Sequence, residues 1–344
     1  MVLALAMVAV GGCGATDDED DAGQVDASDD AASDGAASDD DSEASSSSTT
    51  ATTAPHAGPA VPAAPPPLVV ALTEGGRLVV IDAGTGAQVR ELAFHGDPAE
   101  ADDPTVEGST SFIEAVGVAP DGGTVYYSTC CEPAPGSTFQ VPIGGGEPER
   151  VADGGYPAVS PDGTSLAVVD SAFGVKVSDS LQLPLDFGRF ILVDDPLTVA
   201  PRSAAWSPDG TQLAVDISGD YEHADAAPAE RVVVIVEATA TRLDEGRRLT
   251  PPGGTTWSSP AFRPDGTLIV IETADGVAAV LRSVGVDAAA GDTIDLDGRI
   301  PLDVETDSSG GWVVVTTDAG LVVLAPDGTA SEVPVDDRFT TADW

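Results

Sequence analysis

Ser203-Ala-Ala-Trp206, Ser207-Pro-Asp-Gly210 and Thr211-Gln-Leu-Ala-Val-Asp-Ile217 form one continuous unit. A short apolar segment enters a tight turn and a second apolar segment leaves it. Pro208 presets φ for the first central turn position, Asp209 suits the next, and Gly210 tolerates positive φ. The unit returns at Pro120-Asp121-Gly122, Pro161-Asp162-Gly163 and Pro264-Asp265-Gly266, the four copies standing 41, 47 and 56 residues apart. Self-similarity at this period, with short Val-rich runs between Gly turns, predicts β-propeller blades with variable loops. Asp121, Gly122, Asp162, Gly163, Asp209, Gly210, Asp265 and Gly266 are read as structural turn residues. A fifth copy, Pro326-Asp327-Gly328, follows Leu321-Val-Val-Leu324 and reads as an ordinary hairpin turn out of phase with the others.

Working outward, Leu68–Thr73, Arg77–Asp82 and Gln88–Leu92 read as three strands of a meander joined by Gly turns. Blades 2 to 5 begin near Phe112, Tyr156, Ser203 and Trp257, and blade 6 spans about 299–336. That makes an all-β, six-bladed propeller over 67–344, with seven blades as the alternative if 171–200 holds another. Arg338-Phe-Thr-Thr-Ala-Asp-Trp344 parallels the innermost-strand segment Arg202-Ser-Ala-Ala-Trp206. The C-terminal strand is therefore expected to complete blade 1 and remove both open edges.

Trp206-Ser-Pro-Asp-Gly-Thr-Gln-Leu-Ala-Val215 resembles the repeat W-S-P-D-G-x-x-[IL]-A-[FV] of TolB-like, or WD40-like (PD40), β-propellers. Val159–Val168 matches as well, and Phe262–Val270 and Val118–Val125 match with departures. Val79–Val89 resembles the repeats of surface-protein propellers, in which a V-x-D strand meets a T-G turn. The resemblance implies the propeller fold and says little about activity, because such propellers serve very different roles.

The N-terminal part has another character. Val2–Val10 is an apolar run, and Val10-Gly11-Gly12-Cys13 resembles the lipobox of bacterial lipoproteins. The resemblance implies a signal peptide over 1–12 and a diacylglyceryl group on Cys13; a cleaved signal with an incidental Cys is the alternative. No Lys or Arg precedes the run, which places the expected true start upstream of Met1. Residues 14–66 hold 13 Asp or Glu, no Lys or Arg and no aromatic side chain. Such a segment cannot bury enough apolar surface to offset its ordering entropy, so it is expected to be a disordered acidic tether of roughly 40 Å average reach. Its end, from Ala54 to Pro67, is proline-rich and expected to be stiffer. The address implied is extracytoplasmic, anchored by the lipid alone, since about 20 apolar residues would be needed to span a membrane.

Net charge is −44, of which 13 negative charges fall in the tether. The remaining 45 acidic residues against 14 basic ones leave about −31 on the globule. Nucleic acid is excluded as a partner, since binding needs a basic face. Acidity of this kind reads first as solubility in salt.

Candidate chemistry is sparse. Cys130-Cys131 is expected to form a vicinal disulfide, as a loop staple or a ligand-contacting loop, with unpaired thiols or intermolecular bonding as alternatives. Asp303, Glu305 and Asp307, with Asp292, Asp295 and Asp297 before them, alternate in the manner of a calcium loop and are weak candidates for structural Ca²⁺. His56, His95 and His223 are too few for a transition-metal site. His223 sits in an acidic loop with no signalled nucleophile, and no G-x-S-x-G, H-E-x-x-H or Walker-type loop is present. The four Trp are expected to pack between blades. No cofactor is predicted. The function expected is a binding module for a protein, peptide or envelope component, acting through loops 95–111, 171–202 and 218–230. The alternatives are a propeller hydrolase, lyase or quinone-type dehydrogenase using the axial funnel, or a scaffold.

Overall fold

The computed structural model describes residues 62, 64–94, 112–130, 136–170, 174–183, 185–193, 199–219, 231–274 and 277–344. Among them, six four-stranded antiparallel sheets form the blades. Blade 1 holds β1 (Leu68–Thr73), β2 (Arg77–Asp82) and β3 (Gln88–Phe94). Blade 2 holds β4 (Phe112–Val118), β5 (Thr124–Cys130), β6 (Ser137–Pro142) and β7 (Glu149–Asp153). Blade 3 holds β8 (Gly155–Val159), β9 (Leu166–Asp170), β10 (Gly174–Ser178) and β11 (Arg189–Leu192). Blade 4 holds β12 (Val199–Trp206), β13 (Gln212–Gly219), β14 (Arg231–Glu237) and β15 (Arg247–Leu249). Blade 5 holds β16 (Thr255–Phe262), β17 (Leu268–Ala274), β18 (Val280–Val284) and β19 (Ala290–Ile294). Blade 6 holds β20 (Pro301–Thr306), β21 (Val313–Thr317), β22 (Gly320–Leu324) and β23 (Ala330–Val333).

The last strand, β24 (Phe339–Asp343), pairs antiparallel with β1 and becomes the innermost strand of blade 1. The innermost strands then touch in one cycle: β4 with β8, β8 with β12, β12 with β16, β16 with β20, β20 with β24, and β24 with β4. This is the closure the C-terminal repeat predicts. Among the described residues there is no seventh blade: residues 174–192 supply β10 and β11, the outer half of blade 3. For the same reason 171–202 is not one long loop, which corrects that expectation. Its alternation is short, interrupted by the turn after Ser178, and easily read as irregular.

The second strands explain the Val-rich sequence. In β1, Val69 and Ala71 pack into the cluster shared with blade 6, while Val70 and Leu72 pack into the cluster shared with blade 2. Both faces of the strand are buried, so the segment reads as a continuous apolar run rather than an alternating one. One such cluster lies at each of the six junctions between neighbouring blades. Each fully buried Val or Leu contributes about 1.5–3 kcal/mol of apolar transfer free energy. Trp206, Trp257 and Trp344 join these clusters, and Trp206 Nε1 also donates to the Ala158 carbonyl of blade 3 at 3.0 Å.

The Pro-Asp-Gly copies join first to second strands in blades 2 to 5. Gly122, Gly163, Gly210 and Gly266 have φ of 66°, 68°, 70° and 82°. Asp209 Oδ1 accepts the Thr211 N–H at 3.1 Å, its hydroxyl at 2.8 Å and the Ser207 hydroxyl at 2.7 Å, while Ser207 Oγ accepts the Gln212 N–H at 2.9 Å. Asp162 and Ser160 repeat the pattern. Pro326-Asp327-Gly328 turns between β22 and β23, confirming its different phase.

Candidate functional site: the axial channel

Every innermost strand carries a bulge against its second strand. The pairing skips Glu114 in β4, Tyr156 and Pro157 in β8, Arg202 in β12, Ser259 and Pro260 in β16, Leu302 in β20, and Thr340 in β24. A bulge leaves a residue unpaired and re-aims its side chain. Here Glu114, Tyr156, Pro157, Arg202, Ser259, Leu302 and Thr340 all line one axial cavity of about 580 Å³. Six separate blades thus converge on one funnel. Tyr156 and Ser259 hold positive φ, 50° and 45°, an unfavourable conformation for side chains of this kind.

The funnel wall is polar and crossed by hydrogen bonds. Tyr156 Oη donates to Glu114 Oε1 at 2.5 Å; burial first, then the Glu114 charge, push the Tyr156 phenol well above its ordinary range. Arg202 Nε donates to Ser218 Oγ at 3.2 Å. Arg231 Nη2 meets Asp216 Oδ2 at 2.6 Å, and Asp216 is fully buried on β13. Burial raises the Asp216 pKa against the pull of Arg231. Leu302 stands out as an apolar side chain 46 % exposed at this rim.

Deeper in the channel three carboxylates gather. Asp303 Oδ2 accepts the Thr341 hydroxyl at 2.5 Å. Asp343 Oδ2 accepts the Val118 N–H at 2.6 Å, and its Oδ1 accepts the Trp344 N–H at 2.8 Å. Burial raises Asp303. Burial, with repulsion from Asp343 and Asp303, pushes Glu305 well above the carboxylate range. Asp343 is pushed up to about 7, chiefly by burial, with its two backbone hydrogen bonds opposing. All three carboxylates are half-buried.

A second cavity, of about 630 Å³, opens at the Pro-Asp-Gly end. Val116, Pro157, Ala204 and Glu305 line both cavities, which makes them two ends of one channel with the carboxylates between.

Of the residues singled out in the sequence, Cys13, Cys131, His56, His95 and His223 lie outside the described residues. Cys130 ends β5 with its backbone opposite Phe112, and its side chain is not among those described. Asp303 and Glu305 belong to the channel cluster. Asp307 lines the cavity at the Pro-Asp-Gly end, and its charge adds to the rise at Asp343, while its Oδ1 accepts the Ser309 hydroxyl and the Trp312 N–H, both at 2.9 Å. It holds the turn of blade 6 as Ser207 holds that of blade 4, with Ser and Asp exchanged. No group of three His, Cys, Asp or Glu among the described residues is placed to hold a metal ion. No described helix is long and apolar enough to cross a membrane.

The bulge ring itself went unread in the sequence. Its signal was present: Pro157, Pro201, Pro260 and Pro301 interrupt four innermost strands at or beside the bulge, where proline is tolerated in a sheet.

A closed six-bladed propeller with a polar axial funnel defines the class by fold. No protein-family model matches the sequence, and no curated protein matches it. Among solved structures, TolB from Acinetobacter baumannii is similar with a TM-score of 0.51 and 15 % identity, over 80 % of this chain and 66 % of that one. The chain therefore spans just under two thirds of that TolB, and the likeness establishes a shared propeller fold. A gluconolactonase from Xanthomonas campestris is similar at 0.45 and 17 %, over 83 % of this chain and 90 % of that one. A putative TolB from Agrobacterium tumefaciens is similar at 0.38 and 17 %, over 67 % and 81 %.

Proposed function

We propose that this chain is an extracytoplasmic binding propeller, held to a membrane through lipidated Cys13 and an acidic tether, that takes a segment of a protein, peptide or envelope component into its axial funnel. The observation that carries the reading is the ring of six bulges, each aiming a side chain of different chemistry at one cavity. Glu114, Tyr156, Arg202, Ser259 and Thr340 offer donors and acceptors, and Leu302 offers an apolar contact. Donors, acceptors and one apolar anchor around a concave site are what oriented binding requires. Backbone strain at Tyr156 and Ser259 marks the same spot.

The test is capture from membrane extract by the anchored protein and by an Arg202→Glu variant of unchanged melting temperature. A stoichiometric partner held by the first and lost by the second supports the reading. A partner held equally by both contradicts it.

One observation favours a catalytic reading instead: carboxylates of strongly raised pKa gathered in a channel are what proton transfer uses. Turnover on a hydrolase and lyase panel, abolished by Glu305→Gln, would support that alternative.

A further inference from the structure

The two ends of the channel carry different charge. Arg202 and Arg231 stand among the carboxylates of the funnel. At the Pro-Asp-Gly end, Asp121, Glu305, Asp307 and Asp343 line the cavity, and among the described residues lining it there is no Lys, Arg or His. The rest of the wall is largely apolar. Pro120, Pro161 and Pro208, from three turns, stand there with Trp206, and Pro62 and Ala64–Pro67 form another side.

Three of these carboxylates have hydrogen-bond donors of their own. Asp121 accepts the Gly123 N–H, Asp307 the Ser309 hydroxyl and Trp312 N–H, and Asp343 the N–H groups of Val118 and Trp344. Glu305 meets no donor among the described residues; burial, then repulsion from Asp343 and Asp303, raises its pKa. A cation beside Glu305 offsets that repulsion. One donor is also left over at this end. Trp344 is 9 % exposed, lines the same cavity, and its Nε1 is shielded from solvent with no hydrogen-bond partner. A buried donor left unmet is costly and calls for an acceptor.

The two demands define a ligand. A cation answers the unbalanced carboxylates, and an acceptor answers Trp344. A bare metal ion brings no acceptor, and no group of three His, Cys, Asp or Glu among the described residues is placed to hold one. A cavity of about 630 Å³ has the size of a small-molecule site, and its proline wall suits an aliphatic stem beneath a charged head. The net negative charge of the globule draws cations toward it.

We propose that the Pro-Asp-Gly end of the channel is a second binding site, for an organic cation of the lysine kind: a primary ammonium at Glu305, an aliphatic stem against the prolines, and a carbonyl that accepts Trp344 Nε1. The site stands whether or not the funnel takes a peptide.

Calorimetric titration of the full chain with three probes tests this. Nα-acetyl-lysine methylamide carries the ammonium, the stem and carbonyls; pentylamine lacks the carbonyls; Nα-acetyl-norleucine methylamide lacks the charge. One-to-one binding of the lysine probe is expected, with pentylamine roughly tenfold weaker and the norleucine probe unbound at the same concentrations. Trp344→Phe should bring the lysine probe down to the affinity of pentylamine, and Glu305→Gln should abolish binding of both amines. Equal binding of the lysine and norleucine probes, binding of neither amine, or an affinity unchanged in Glu305→Gln overturns the proposal. Pentylamine bound as tightly as the lysine probe removes the role of Trp344 and overturns the site as stated. If Glu305→Gln does not fold, the native chain decides: affinity for the lysine probe should fall as KCl is raised, and binding indifferent to salt overturns the proposal.

Discussion

Asp343 Oδ2 accepts the backbone N–H of Val118 at 2.6 Å, across 225 residues of sequence. The last strand of the chain is thus bonded to blade 1 along its length and to blade 2 through one carboxylate. The same carboxylate stands in the channel beside Glu305 and Asp303. Ring closure and channel electrostatics therefore share a residue.

Closure is the first point to test. Phe339 and Ala342 are buried between blades 6 and 1, with Trp344 nearly so. Phe339→Ala should cost about 3–5 kcal/mol. At 2–4 °C per kcal/mol for a chain of this order of size, its melting temperature falls by about 10 °C. Deleting 338–344 should lower it further and expose the edge of β1. Calorimetry on both variants checks this.

The carboxylates set a pH dependence of definite sign. Folding raises Asp303, Glu305, Asp343 and Asp216, so the native state holds their protons more tightly than the unfolded chain. Their favourable contribution is full below the unfolded values, 3.8 for the aspartates and 4.5 for Glu305, and is lost as pH rises through the folded values, about 7 for Asp343. Melting temperature should therefore rise as pH falls from 8 toward 5. Glu305→Gln removes one titrating group from the cluster and should flatten the profile.

The turn carboxylates run the other way. Burial alone would raise Asp162 and Asp209, but hydrogen bonds from Ser160 or Ser207 and from Thr164 or Thr211 outweigh it and leave both below their ordinary value. The Thr267 hydroxyl leads in lowering Asp265. The stability they bring is present above the unfolded value near 3.8 and is lost as pH falls through their folded values. The midpoint should therefore pass through a maximum at mildly acid pH and drop below about pH 4. Asp209→Ala, which strips three hydrogen bonds from one turn, should cost about 1–3 kcal/mol in thermal unfolding at pH 7.

Asp307 offers a sharper contrast. As a turn residue it should, on Asp307→Ala, destabilise blade 6 by a similar amount whether or not calcium is present. Thermal scans with millimolar CaCl₂ and with EDTA should coincide for each protein. A calcium shift that the variant loses would restore it as a metal ligand.

At the funnel mouth, Tyr156→Phe removes the hydroxyl that bonds Glu114 and keeps the ring. A loss of about 1–2 kcal/mol in thermal unfolding is expected.

The fold was legible because its repeat depends on local turn chemistry. Pro208-Asp209-Gly210 needs a particular φ at each position, and few residues satisfy it, so the motif survives in the sequence as a marker. The closing strand was legible because Trp344 answers Trp206. The funnel was not, because its residues gain their meaning from a ring of strands far apart in the chain. Glu114, Tyr156, Arg202, Ser259, Leu302 and Thr340 share no type and no spacing, only a bulge. The turn role of Asp307 was not legible because an acid at alternating positions looks the same whether it binds a cation or caps a turn; its bonds to Ser309 and Trp312 show the turn role.

The most direct test of the binding role places a photo-crosslinking amino acid at Leu302, on the funnel rim, and at Val89, 55 % exposed on the outermost strand of blade 1. With the anchored protein in intact cells, a discrete adduct should form at 302 and be absent at 89, and Arg202→Glu should abolish it. Adducts at 89 as strong as those at 302, or an adduct at 302 indifferent to Arg202→Glu, would contradict a binding site in the axial funnel.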